Sequence, residues 1–102
     1  MELIRGTTPT ITYSFDDIHA ADITVAVFCI KQLDKTIVEK NLADGLVSND
    51  KLMFTLSQQD TLSLNSKLMA KVVLDWKLNT GIRGRSNIVE AKITDPGKDS
   101  VL

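Results

Sequence analysis

One cysteine, one histidine and two prolines are all that 102 residues contain of those types. A single Cys29 cannot close an intrachain disulfide, so the fold has no covalent staple and suits a reducing compartment. A single His19 falls short of the Cys/His spacings that mark zinc sites. There is no P-loop, no dinucleotide fingerprint and no nucleophile elbow. No stretch approaches the roughly 18 consecutive apolar residues of a bilayer span. Met1-Glu2-Leu3-Ile4-Arg5 runs into Gly6-Thr7-Thr8-Pro9 without the apolar centre of a signal peptide, so none is expected. An excess of one charge is missing too: 12 Lys and Arg face 13 Asp and Glu, for a net charge of -1. That balance argues against a nucleic-acid backbone as partner. With aromatics at 5%, a stacking platform for bases or sugars has little to be built from.

What is present is a strand pattern. The chain is 43% hydrophobic and 25% charged, as a globular domain is, and one domain over residues 1–102 is expected. Leu68 to Asn79 is the longest regular alternation. Leu68, Ala70, Val72, Leu74, Trp76 and Leu78 make one apolar face, while Lys71, Asp75 and Lys77 mark the other. Such a strand covers a core on one side, and a one-residue slip would bury its charges instead. Thr10 to Phe15 alternates likewise, with Ile11, Tyr13 and Phe15 inward, and so does Lys51 to Leu56, with Leu52, Phe54 and Leu56 inward. Ile23 to Lys31 is β-branched and apolar on both faces, which predicts a central strand covered on both sides at its middle. A turn over Leu33-Asp34-Lys35 returns it as a hairpin through Thr36 to Leu42.

Shorter signals fill the gaps. Met1 to Arg5 and Leu46-Val47 are brief edge segments. Asp16 or Asp17 is placed to cap a short helical turn. Ser57 and Asp60 have the spacing of a capping box, with Asp for the usual Glu. Thr80 to Gly84 reads as a loop, Arg85 to Thr94 as one long last strand, and Asp95-Pro96-Gly97 as its end. The expected fold is all-β: an immunoglobulin-like β-sandwich of about six or seven strands with one short helical turn. A partly open barrel is the second architecture.

Candidate chemistry is thin. His19 among Asp16, Asp17 and Asp22 lacks any strong metal spacing, and a solvated turn accounts for it. Ser86 with His19 and an aspartate would need a geometry that no local motif announces. Cys29 sits between Phe28 and Ile30, where a small buried hydrophobe is expected. Gly81-Ile82-Arg83-Gly84-Arg85 carries the letters of a KH nucleic-acid loop, but it joins strands where that loop joins helices. Trp76 and Tyr13 lie on apolar faces and belong to the core. No enzyme activity, cofactor or metal is implied.

The order of three short motifs carries more. They are Arg5-Gly6-Thr7-Thr8-Pro9-Thr10, then Leu56-Ser57-Gln58-Gln59-Asp60-Thr61-Leu62, then Ser86-Asn87-Ile88 at the last strand. Together they resemble a group of small prophage proteins similar to the N-terminal immunoglobulin-like domain of phage baseplate upper proteins. The resemblance spans nearly the whole chain, and its motifs are structural. It implies a structural or adaptor protein of a phage tail or baseplate, with protein partners and no cofactor. The expected location is a virion, or the bacterial cytoplasm before assembly, without a membrane. Arg83 and Arg85 in the Gly81–Arg85 loop are the candidate partner contacts, together with the N-terminal segment. Val25, Val27, Ile37, Met53, Met69 and Val73 lie off the main core stripe and are candidates to cover a partner or a second copy. The alternative function is a small ligand-binding β module for carbohydrate or nucleic acid.

Overall fold

A computed structural model of the protein describes residues 1–96. Among the described residues, nine strands form two sheets. They are β1 (Glu2–Ile4), β2 (Thr10–Ser14), β3 (Ile23–Gln32), β4 (Lys35–Asn41), β5 (Leu46–Ser48), β6 (Lys51–Thr55), β7 (Ala70–Leu78), β8 (Arg83–Arg85) and β9 (Val89–Thr94). One short helix, α1 (Gln58–Leu62), and two 3-10 turns, Ala20–Asp22 and Leu42–Asp44, complete the order. The larger sheet runs β1-β9-β7-β3-β4, with β8 also on β7; the smaller runs β2-β6-β5. All pairings are antiparallel except β1 with β9, which is parallel. This is an immunoglobulin-like β-sandwich.

The core sits where the two alternating faces meet. From β7, Ala70, Val72 and Leu74 are buried; from β6, Leu52 and Phe54; from β3, Phe28 and Ile30. The rings of Phe28 and Phe54 stack across the interior at 5.0 Å, and Tyr13 meets Phe28 edge-on at 6.3 Å. Offset and edge-on rings add a directional preference to the burial itself. Phe54 faces Ile11 across the β2–β6 pair, and Phe28 faces Leu74 across β3–β7, so cross-strand register and core packing enforce one another.

Polar side chains, buried or partly buried, tie the connecting segments to the sheets. Thr61 is fully buried on α1. Its hydroxyl donates to the carbonyl of Thr7 at 2.8 Å and accepts the N–H of Gly6 at 3.0 Å. Gly6 has φ 83, which glycine adopts without a Cβ clash. Arg5 donates to Asp95 at 2.7 Å and to the carbonyl of Leu62 at 3.0 Å. Gln32 is likewise buried, donating to the carbonyls of Asn65 and Leu68 and accepting the N–H of Asn65 at 2.9 Å. Lys40 turns inward from β4 to meet Asp60 at 2.8 Å. Partial burial works against the Asp60 carboxylate, but Lys40 and the Ser57 N–H together hold its pKa below the ordinary value.

Ser57 and Asp60 form the capping box that their spacing predicts: the Asp60 N–H donates to Ser57 Oγ at 3.0 Å, and the Ser57 N–H to Asp60 Oδ2 at 2.8 Å. Several expectations change. There are nine strands rather than six or seven, because β1, β5 and β8 are each only three residues long and a periodicity of two hardly registers. The expected last strand divides into β8 and β9 around Ser86-Asn87-Ile88. Asp16 and Asp17 cap nothing: the first 3-10 turn begins after His19, which makes no side-chain cap. β3 is central, yet its second face is not layered over. Cys29 is buried, but Val25 is 51% exposed and Val27 only half-buried. The expected end at Asp95-Pro96-Gly97 and the domain extent to residue 102 run past the described residues.

Replacing the Thr61 hydroxyl by a methyl group tests the polar hub. Thr61→Val keeps the shape but leaves the Gly6 N–H and the Thr7 carbonyl without their partner. It is expected to cost about 1–3 kcal/mol, read as a lower urea midpoint with an unchanged slope. A midpoint equal to wild type would show that the hub is dispensable.

Candidate functional site

Arg83 and Arg85 do not sit in a loop. They form β8, which pairs with the second half of β7 in the register Lys77–Arg83, Trp76–Gly84 and Asp75–Arg85. Alternation therefore sends both arginines to the outer face of the larger sheet, with Gly84 between them facing the opposite way. The two have different fates. Arg85 grips Asp75 with two donors, Nε to Oδ1 at 2.6 Å and a terminal nitrogen to Oδ2 at 3.2 Å. The hydrogen bond to Asp75, and its charge, raise the Arg85 pKa further. Arg83 is exposed, and its side chain makes no hydrogen bond or ion pair among the described residues. Of the two, it is the cation available to a partner.

Gly84 explains how Trp76 fits. A Cβ at Gly84 would collide with the indole ring, at Cζ2 and Cε2. The ring packs against bare backbone on that side and edge-on to Phe15 at 5.3 Å on the other. Trp76 is half-buried, not enclosed, although Leu78 beyond it on the same face is buried. Beside it, a shallow depression of about 320 Å³ is lined by Val25, Val27, Asp75, Trp76, Lys77 and Arg83. Exposed apolar surface next to an unpaired guanidinium is the composition of a protein-contact surface. Of the other residues off the core stripe, Val73 is buried, Ile37 and Met53 are half-buried, and Met69 is 54% exposed at the far end of the sheet.

The candidate catalytic groups are not brought together. Ser86 Oγ accepts the N–H of Leu74 at 2.9 Å and lies near enough to the Tyr13 hydroxyl to lower its pKa. The exposed ring of His19 pairs with Asp50 at 3.2 Å. Among the described residues, no three His, Cys, Asp or Glu side chains converge as metal ligands would. Cys29 is buried 3.9 Å from the Glu39 carboxylate. Burial pushes its pKa up, and Glu39 adds to the shift, so the group stays a thiol and is poorly nucleophilic. Gly81 takes φ 90 in the turn before β8, a hairpin role with no phosphate cradle around it. Sequence reasoning missed three features here: the Asp75–Arg85 fork, the Gly84–Trp76 contact and the Tyr13–Ser86 approach. All depend on strand register, and only the alternating Arg-Gly-Arg, read as a strand, carried a hint of them.

No protein-family model matches this chain, and no curated protein matches it. Among solved structures, it is similar to the immunoglobulin-like domain of mouse leukocyte-associated immunoglobulin-like receptor 1, described as a strand-swapped dimer. The match has a TM-score of 0.51 at 15% sequence identity, covering 91% of this chain and 85% of that one. Likeness at that identity speaks for the immunoglobulin-like fold alone. No helix among the described residues is long and apolar enough to cross a membrane.

Two measurements check this geometry. Burial, partly opposed by nearby Ser86, pushes the pKa of the only tyrosine, Tyr13, up to about 12. An unfolded tyrosine loses its proton near 10 while the folded one keeps it, so stability falls as pH rises from about 10 towards 12. Phenolate absorbance should therefore appear late, and Tyr13→Phe should flatten the alkaline loss; a midpoint near 10 in the folded protein would refute the burial. Gly84→Ala should displace the indole, shift its emission to the red and cost about 1–3 kcal/mol from overpacking. An unshifted spectrum would mean that the ring does not lie on Gly84.

Proposed function

We propose that this protein is a non-enzymatic structural or adaptor component of a phage or prophage tail or baseplate, acting through protein–protein contacts. One observation carries the reading. The motifs behind the resemblance to baseplate-type immunoglobulin-like domains are joined by their own hydrogen bonds and leave no reactive group over. Thr61 binds Gly6 and Thr7, Gln58 donates to the Gly6 carbonyl at 3.3 Å, and Arg5 reaches the Leu62 carbonyl. The Leu56 N–H donates to the Pro9 carbonyl at 2.9 Å. Ser86 secures the start of the last segment to Leu74 in both directions. Residues spent on holding a small sandwich in shape are what an assembly part needs, and the outer face with Arg83, Val25 and Val27 is free to meet a neighbour.

Composition of purified tail particles from the producing strain tests the proposal. The chain is expected at fixed stoichiometry with baseplate proteins, and Arg83→Glu is expected to lower its incorporation while leaving its thermal midpoint unchanged. Its absence from particles, with all of it in the unassembled fraction, would overturn the reading. A small ligand-binding module is the second reading, favoured by the half-buried Trp76 at the depression. Saturable quenching of tryptophan emission by an oligosaccharide or a single-stranded oligonucleotide would support it.

A further inference from the structure

The two ends of the sandwich carry opposite charge. β3 spans ten residues from Ile23 to Gln32, so its ends stand about 30 Å apart at roughly 3.3 Å per residue. That is several Debye lengths at physiological salt, and each end therefore acts as a separate patch. At the start of β3, Asp16 and Asp17 follow β2, Asp22 closes the first 3-10 turn and Asp50 lies in the β5–β6 turn. The Phe15 N–H donates to the Asp50 carbonyl and the Asn79 N–H to the Asp22 carbonyl, which gathers these segments. Ile82, 62% exposed, sits in the neighbouring turn, and Lys51 and Arg83 at the rim offset part of the charge.

At the other end, Gln32 ties the β3–β4 hairpin to the turn before β7. Exposed Lys31, Lys35, Lys67 and Lys71 surround it, against Asp34, against Glu90, which faces Lys71 across β7 and β9, and against Asp95, which is already held by Arg5. A groove of about 360 Å³ opens there, lined by Lys31, Leu33, Asp34, Leu68, Met69 and Lys71. Leu33 is 75% and Met69 54% exposed. Lys31 and Lys71 stand directly opposite each other across β3 and β7, and neither makes an ion pair among the described residues. Like charges so placed work against the sheet that carries them; Glu90 faces Lys71 from β9 and offsets this on one side only, and a carboxylate from outside would relieve Lys31 as well.

We propose that this groove receives the aspartate-bearing end of a second copy, giving head-to-tail association. Leu33 and Met69 bury against the neighbour while Lys31 and Lys71 meet Asp16 and Asp17. Such a contact uses two different patches, so it propagates into a ring where the rotation closes and a filament where it does not. The inference goes beyond the tail reading and does not require it.

Light scattering after size exclusion, over a concentration series, tests it. Wild-type mass should climb above the monomer at low salt and return to it near 1 M, where the Debye length is about 3 Å. Lys31→Glu places a carboxylate opposite Lys71, so it should raise the monomer's thermal midpoint and yet abolish association. Asp16→Lys with Asp17→Lys should also be monomeric alone. An equimolar mixture of the two variants should form heterodimers, since one retains the native acidic end and the other the native basic end. A wild type that is monomeric throughout at low salt would overturn the proposal. So would association indifferent to salt, or variants that do not recombine, as expected of a symmetric contact.

Discussion

The crossing of the chain from one sheet to the other depends on the hydroxyl of Thr61. β1 belongs to the larger sheet and β2 to the smaller, and only residues 5 to 9 lie between them. Backbone leaving a sheet must find partners for groups that no ladder serves. Thr61 meets Gly6 and Thr7, Leu62 receives Arg5, and Leu56 reaches back to Pro9. The helix that supplies these contacts has five residues, too few to persist alone, and it is held in turn by its capping box and by Lys40. With that crossing in place, Leu3 and Ile11 enter opposite walls of one core.

Charges divide by role around this frame. Pairs such as Arg5–Asp95 and Lys40–Asp60 join segments distant in sequence and fix the chain's path. Arg85–Asp75 ties a short strand to its neighbour. The exposed pairs among these add little net stability, but all of them fix the relative placement of the segments they join. Among the cations outside such pairs, Arg83, Lys31 and Lys71 lie beside exposed aliphatic groups.

Much of the sandwich was legible before any coordinates. The alternations at 10–15, 51–56 and 68–79 follow from burial on one face, a constraint each strand expresses alone, and the Ser57–Asp60 cap is equally local. What was not legible depends on neighbours. Arg83 and Arg85 read as loop residues because three alternating positions with a glycine in the middle hold too little periodicity, and only pairing with β7 makes them a strand. The double apolar face of β3 suggested a second layer, whereas neighbouring charged side chains shield Cys29 and leave Val25 in solvent. Asp16 and Asp17 had the chemistry of caps, but the helical turn begins four residues after Asp16.

The parallel pairing of β1 with β9 has a mechanical consequence. Glu2 lies against Lys92 and Ile4 against Thr94. Tension that pulls β1 backward and β9 forward along the chain acts parallel to both strands. Their rungs are then loaded together in shear, where an antiparallel hairpin would peel open one rung at a time. Thr94 Oγ1 donating to Glu2 at 2.7 Å, and the Arg5 N–H donating to the Thr94 carbonyl at 2.9 Å, add to the same clamp. Pulled from these two strands, the domain yields only when several hydrogen bonds fail at once.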